Sequence, residues 1–472
     1  MRLTRRRALQ SLSASAAVAS FGPLGCEGRT GTSSRSFQQL ARSRTDTVVI
    51  VMMENRSFDH VFGSLSLVEG RDDVDGLTAT MGNPDHEGNI ITASPADLSC
   101  IADPPHSWDS SHRQWNNGKN DGFVTEYAAG EGEAGPHRVM DYLPRALQPT
   151  SYALADHFAL CQRWFASVMG PTWPNRYHYL ATTSHGVQTN TTLDKYVPNI
   201  FNRALDAKVE YGNYYGNIPF GSVLEGVSLS DPEMGRHEDF FARAAAGTLP
   251  PIVVIDPIYG RSDDHPPTHP LAGQIFIQSI YEAMRTSPQW SRSMLVVTYD
   301  EHGGFHDHVA PPTFDDDDFA AAGFNQLGFR VPGFVVGPFV KNEVSNVVFD
   351  HSSIYATLSA LYGLEPIGAR DTASNTFLDL LDEDLLDRDA PRDGPVLAPV
   401  VADEAEIFAD ACAGFAFHGK ADAPGMITGQ AELEEIFARR FPDAAKGLLA
   451  DTEGRFKDLL AHARSQGVWR RA

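Results

Sequence analysis

Apolar positions along the chain fall into short runs of two kinds. Asp46-Thr47-Val48-Val49-Ile50-Val51-Met52-Met53 is β-branched and unbroken by polar alternation, which predicts a strand buried on both faces. Similar runs at 252–255, 294–299 and 333–336 predict further strands of a parallel sheet covered by helices. Between the second and third lies 273–286, where Ile275, Ile280, Ala283 and Met284 recur at helical spacing. Strand, helix, strand is a βαβ unit. The stretch 187–250 is polar and irregular and reads as an insertion. After Glu404 the pattern predicts two amphipathic helices, near 430–440 and 443–465, with Pro442 between them. No internal repeat is visible.

Composition narrows the class. The 472 residues are 42% hydrophobic and 21% charged, an ordinary globular balance. Gly 40 and Pro 30 fall well short of the ~25–30% of low-complexity chains, and no run reaches the ~18 apolar residues of a spanning helix. The net charge is −23. Arg2, Arg5, Arg6 and Arg7 lie in a first segment without acids, so its removal leaves −27. Such a field repels phosphate backbones and excludes general nucleic-acid binding.

That first segment, 1–25, has the basic start, short apolar run and small residues of an export signal. Its paired arginines resemble a twin-arginine signal, while Ala8, where Phe is common, leaves Sec export open. Pro23-Leu24-Gly25-Cys26 resembles a lipobox, with Cys26 as the lipidated residue; a plain cleaved signal is the alternative. Residues 26–44, rich in Ser, Thr, Gly and Arg, read as a flexible tether. Cys100, Cys161 and Cys412 remain, without zinc spacing, and read as buried structural cysteines. The expected organisation is signal (1–25), tether (26–44), catalytic domain (45–400) and helical extension (401–472).

Polar chemistry collects where the strands end. Glu54-Asn55 follows the first run and Asp300-Glu301-His302-Gly303-Gly304 the third. Ligands in open α/β sheets sit outside the carboxyl ends of strands. Carboxylates gathered there repel unless a cation joins them, so two such pairs point to a metal site. In Gly170-Pro171-Thr172-Trp173-Pro174-Asn175-Arg176, Thr172 stands at a helix N-cap position with Pro174 just inside. A helix N-terminus favours an anion, and a hydroxyl beside a divalent metal loses its proton more readily.

These motifs resemble the bacterial phosphoesterase family, which includes phospholipases C and an acid phosphatase branch. Val49 to His60 looks like its opening motif, Gly170 to Arg176 its nucleophile motif, and Asp263-Asp264-His265-Pro266-Pro267 its central histidine motif. Thr298 to Gly304, running on through Asp307-His308, is its most recognisable block; Arg330-Val331-Pro332 and Phe349-Asp350-His351-Ser352-Ser353 complete the order. The resemblance implies a three-layer αβα sandwich, alkaline phosphatase-like, with a short helical C-terminal tail here. It implies metal ligands Glu54, Asn55, Thr172, Asp300 and Glu301, with Thr172 as the phosphorylated nucleophile. His265 and His106, in Pro104-Pro105-His106-Ser107-Trp108, would contact phosphate oxygens or protonate the leaving group. His308 and His351 match family motifs without an assigned role. His302 would orient its turn, and His306 stands where an aromatic residue is common.

The implied activity is metal-dependent hydrolysis of a phosphate ester through phosphothreonine. The divalent ion is open among calcium, magnesium, manganese, iron and zinc, since no Cys lies in a motif. Phospholipid diester and small phosphomonoester both remain as substrates. An inactive cell-surface binding protein on the same fold is the alternative class. The protein is expected outside the cytoplasm, anchored through lipid on Cys26 or free, without a transmembrane helix.

Overall fold

The computed structural model describes residues 36–96, 103–131, 138–193, 195–314, 319–408 and 429–472. The export segment, Cys26, Cys100 and Cys412 lie outside the described residues; Cys161 is buried with a free thiol.

The four apolar runs form strands of one eight-stranded sheet. Its members are β1 (Thr47–Met53), β2 (Ala159–Cys161), β3 (Tyr211–Tyr215), β4 (Met234–Arg236), β5 (Ile252–Asp256), β6 (Ser293–Tyr299), β7 (Gly333–Val336) and β8 (Val344–Ser345). Their order is β8-β2-β7-β6-β1-β5-β3-β4. All seven residues of β1 are buried, as its unbroken apolar pattern requires. β1 pairs in parallel with β6, Val49 opposite Leu295, and with β5, Val49 opposite Val253.

Two features differ from the expected parallel sheet. β7 runs antiparallel to both β6 and β2. A parallel return needs a crossover, usually a helix, and the described residues of 300–332 contain only a 3-10 turn. The chain therefore re-enters the sheet from the end at which it left. Second, 187–250 is no insertion: it supplies β3 and β4, which continue the sheet in parallel beyond β5. β3 reads Tyr-Gly-Asn-Tyr-Tyr and is buried throughout. Its burial comes from tyrosine rings and from Asn213 Nδ2 donating to Asp256 Oδ2 at 2.9 Å, so it lacks the aliphatic signature of its neighbours.

Helices cover both faces, giving a three-layer αβα sandwich. α1 (Phe37–Arg44), α2 (Trp108–Trp115), α3 (Pro149–His157), α4 (Thr172–Ala181), α5 (Ile200–Asp206), α6 (His237–Ala246), α7 (Pro270–Arg285) and α8 (Ser352–Tyr362) precede the C-terminal region. α4 and α1 pack against α8, and α3 packs against α7. The stretch expected as a tether is helical from Phe37, because Leu40 and Ala41 are buried and Gln38 Nε2 donates to Ala360 O. Among the described residues the tail from Glu404 holds four helices where two were expected: a short one at Glu404–Phe408, then α9 (Gly429–Arg440), α10 (Pro442–Leu448) and α11 (Thr452–Ser465). Pro442 opens α10 at its first turn, where a missing N–H costs nothing. α11 packs on α7, and Val400–Ala402 pairs with Trp469–Arg471. This strand pair straddles position 400 and ties the extension to the main body.

Candidate active site

The carboxyl ends of β1 and β6 are adjacent, so Glu54-Asn55 and Asp300-Glu301 emerge side by side. Asn55 adopts φ 59°, a left-handed conformation that Asn tolerates better than most residues. That turn points its backbone N–H at Asp300 Oδ1, 3.0 Å away. Gly303 has φ 63°, and a Cβ there would stand 2.1 Å from Asn55 O. The two loops therefore interlock only with glycine at 303.

Thr172 arrives from a third segment. It is the first residue of α4, with Pro171 as the N-cap, one position later than expected. All ten residues of α4 are buried. Thr172 Oγ1 donates to Asn55 Oδ1 at 3.4 Å. The backbone N–H of Trp173 is already held by Asn190 Oδ1 at 2.9 Å, so part of the helix N-terminus is satisfied by a side chain. Asn175 Oδ1 accepts from Val168 N, and its Nδ2 donates to Gly170 O and Pro171 O, which fixes the loop ahead of Thr172.

Burial and charge conflict here. Glu54, Asp300 and Glu301 are at most 3% exposed. Burial pushes the Glu54 carboxyl well above the usual range, against the pull of Arg176. Asp300 is pushed up to about 6 by burial, again with Arg176 opposing. Burial also raises Glu301, but His106, His302 and the Gly303 N–H outweigh it and hold it below its usual value. Arg176 supplies the counter-charge: Nη2 stands 3.2 Å from Glu54 Oε1 and Nε 3.2 Å from Asp300 Oδ2. Its remaining N–H groups donate to Tyr259 Oη and to the carbonyls of Met52 and Met53. Arg176 thus faces two of the three buried carboxyl groups, and His106 faces the third. Glu54 Oε2 and Glu301 Oε1 are buried without a hydrogen-bond partner. Partnerless buried carboxylate oxygens suit an oxygen-liganded cation, so Glu54, Asn55, Thr172, Asp300 and Glu301 fit as its holders.

The histidines divide by their surroundings. His106 Nε2 lies 3.4 Å from Asn55 Nδ2 and 3.9 Å from Glu301 Oε1. Burial lowers its pKa, but Glu301 and Asp103 outweigh that and push it up to about 9. His265 joins it across a T-shaped contact of 6.3 Å between ring centroids, and Asp103 Oδ1 lies 3.5 Å from His106 Nδ1 and 3.9 Å from His265 Nε2. His302 Nδ1 meets Glu301 Oε2 at 3.1 Å and its Nε2 meets Gln114 Oε1 at 2.8 Å, so it orients Glu301. His351 Nδ1 accepts from Trp164 Nε1, which leaves its Nε2–H to donate to Asp300 O at 2.6 Å. It braces the backbone of Asp300. His308 belongs to a different network, with Asp59 at 2.7 Å and Asp75 at 3.1 Å. There Arg330 binds Asp59 and Asp307 at 2.9 and 2.8 Å. His306 packs edge-on against Phe123, in keeping with an aromatic position.

The sequence motifs included Arg176 without giving it a role, and Asp103 was not singled out. Arg176 stands four residues after Thr172, hence on the same face of α4; Asp103 precedes His106 by three. A cavity of about 350 Å³ between α6 and α11 is lined by Tyr215, His237, Phe241 and His462 among others. Its lining contains none of these residues.

Comparison with known proteins places residues 45–365 within the phosphoesterase family. Non-specific phospholipase C1 of Arabidopsis thaliana is 33% identical over 401 residues, covering 75% of this chain and 74% of its own length. Phospholipase C A of Mycobacterium tuberculosis is 30% identical over 380 residues, covering 67% and 72%. A solved structure of a protein in the alkaline phosphatase superfamily from Vibrio parahaemolyticus shares 10% identity and a TM-score of 0.37, covering 74% of this chain and 79% of its own.

Proposed function

The chain belongs to the phosphoesterase family and is a hydrolase acting on ester bonds, and on that premise we propose that it cleaves a phospholipid phosphodiester through a phosphothreonine at Thr172, with a divalent metal ion held by Glu54, Asn55, Thr172, Asp300 and Glu301. The observation that carries this reading is the meeting of these residues from three chain segments around carboxylate oxygens left without partners. When bound, the ion polarises the ester and offsets its charge. The chain's own groups do the rest. Thr172 Oγ1 attacks phosphorus in line, its proton passing to solvent water, and the new Oγ1–P bond forms as the bond to the leaving oxygen breaks. Asn55 holds the hydroxyl in place, and His351 and His302 keep the Asp300-Glu301 turn fixed. The leaving oxygen departs on the side of His106 and His265 and takes a proton from one of these two imidazoles. Water then cleaves the phosphothreonine and restores the hydroxyl.

The intact residue set argues against the inactive binding protein. The relatives named phospholipase C, spanning 75% and 67% of this chain, favour a lipid diester over a small monoester. The N-terminal segment is read as an export signal that carries the enzyme out of the cytoplasm, with Cys26 as its lipid attachment. Among the described residues no helix is long and apolar enough to cross a membrane.

The test compares p-nitrophenyl phosphorylcholine with p-nitrophenyl phosphate. Faster turnover of the choline diester is expected; preference for the monoester would make the enzyme a phosphatase. Thr172→Ala abolishes turnover on either substrate while leaving bound metal in place.

A further inference from the structure

The cavity between α6 and α11 shares no lining residue with the hydrolytic site, yet the sheet ties the two to one edge. β3 and β4 run parallel to β5 and β1. Their last residues, Tyr215 and Arg236, therefore leave the sheet on the edge where Glu54 follows β1. In the order β1-β5-β3-β4 they stand two and three strands away, about 10 and 14 Å at the usual strand spacing. A volume of about 350 Å³ lies toward the small end of ligand pockets.

The lining combines rings with charges. Phe241 and His462, both in it, stack at 3.8 Å between ring centroids. His237 donates from Nε2 to Asp256 O at 2.8 Å. Burial brings its pKa down to about 4 and lowers that of His462 as well, so neither ring adds charge near pH 7.

The remaining charges pair incompletely. Arg455 lies 3.1 Å from Glu238 Oε1 and 3.3 Å from Asp451 Oδ2, which offsets it within the chain. Two groups are left over. Asp458 lines the cavity three residues after Arg455 on α11 and has no ion pair among the described residues. Arg236 lies over the Tyr215 ring, 4.6 Å from its centroid, and its Nη1 and Nη2 are buried without a hydrogen-bond partner. Burial lowers its pKa, and the charge of Arg455 lowers it further. Buried donors without an acceptor are costly, and the planar fork of a guanidinium suits an oxyanion such as phosphate.

A simple anion drawn to Arg236 would meet the carboxylates of Asp458 and Glu238. A simple cation drawn to Asp458 would meet Arg236 and Arg455. A molecule that carries both charges is matched on both counts, and the rings of Tyr215 and Phe241 favour an ammonium group beside them.

We propose that this cavity binds a small zwitterionic phosphoamine, with its phosphate on Arg236 and its ammonium group on Asp458 beside the aromatic rings. Such a group exists free, as phosphocholine, and as the headgroup of a choline lipid. The proposal goes beyond the hydrolytic reading and holds whichever ester Thr172 attacks.

The full chain carrying Thr172→Ala, which removes turnover, is titrated with phosphocholine by isothermal titration calorimetry. One binding event is expected to weaken at least tenfold when Asp458→Asn, Arg236→Gln or Ala242→Trp is added. Ala242 is exposed and lines the cavity, so tryptophan there fills the space. Inorganic phosphate alone and choline alone are expected to bind at least tenfold more weakly than phosphocholine. Sedimentation with phosphatidylcholine vesicles separates the sources: retention by wild type but not by Ala242→Trp assigns the site to the lipid headgroup, and equal retention assigns it to the free molecule. Phosphocholine affinity and stoichiometry unchanged in all three variants overturn the proposal, as does phosphate alone binding as tightly as phosphocholine. Failure of the hydrolytic reading is separate and shows as turnover by Thr172→Ala. Thermal melts confirm folding; if Arg236→Gln does not fold, Ala242→Trp and Asp458→Asn decide.

Discussion

Replacing Arg176 with Met removes the one positive charge facing Glu54 and Asp300 and keeps most of the side-chain volume. Both ion pairs are at 3.2 Å and the guanidinium is 1% exposed. Removing one partner of a buried pair costs about 3–5 kcal/mol, because the other is left uncompensated. The unfolding entropy, about 2.1 cal/mol/K per residue, summed over the unit Phe37–Ala472, is about 0.9 kcal/mol/K. The expected fall in Tm is therefore about 3–6 °C in chelator-treated protein.

The pH dependence of that loss gives a sharper test. Both carboxyls are already raised in the folded state, Asp300 to about 6 and Glu54 well above its usual value. A carboxyl raised above its unfolded value costs nothing when both states are protonated and costs progressively more as pH rises. Losing Arg176 raises both further. The deficit of Arg176→Met must therefore be smaller near about pH 5 than near about pH 8. Differential scanning calorimetry at the two values reads this directly. A Tm within a degree of wild type, or a deficit that shrinks as pH rises, would refute the assignment of Arg176 as the counter-charge.

Further expectations follow from the histidines. His351→Phe keeps a ring beside Trp164 but deletes the bond to Asp300 O; kcat should fall at least tenfold with KM nearly unchanged, and His351→Gln should recover part of it in steady-state kinetics. His308 is pushed up to about 9: burial opposes, but the Asp59 charge and hydrogen bond outweigh it. Its stabilisation is full below the ordinary histidine value and lost as pH rises through about 9, so the Tm of wild type should decline over that window and the Tm–pH curve of His308→Asn should lack that decline.

The legibility of this fold in the sequence followed side-chain chemistry. β1, β5 and β6 were readable because strands buried on both faces are written in aliphatic, β-branched residues. β3 was not, since its burial relies on Tyr214 and on an Asn213 bond to Asp256, and such residues look like loop. The direction of β7 was invisible because a strand's composition carries no polarity; the missing crossover helix decides it. Asn55, Thr172, Asp300 and Glu301 were readable as motif residues at strand and helix ends. Arg176 was not assigned a role because its partner Asp300 is 124 positions away, and pairing across that distance exists only after the sheet forms. Asp103 lacked a signal for the same reason: His265 reaches it from a different loop.

Phosphothreonine is the central claim, and rapid acid quench tests it most directly. Enzyme mixed with a phospholipid diester is quenched during turnover, digested and analysed by mass spectrometry. The account predicts a phosphoryl group on the peptide carrying Thr172, absent without substrate and absent in Thr172→Ala. Full turnover by Thr172→Ala, or phosphate found on another residue, would contradict it.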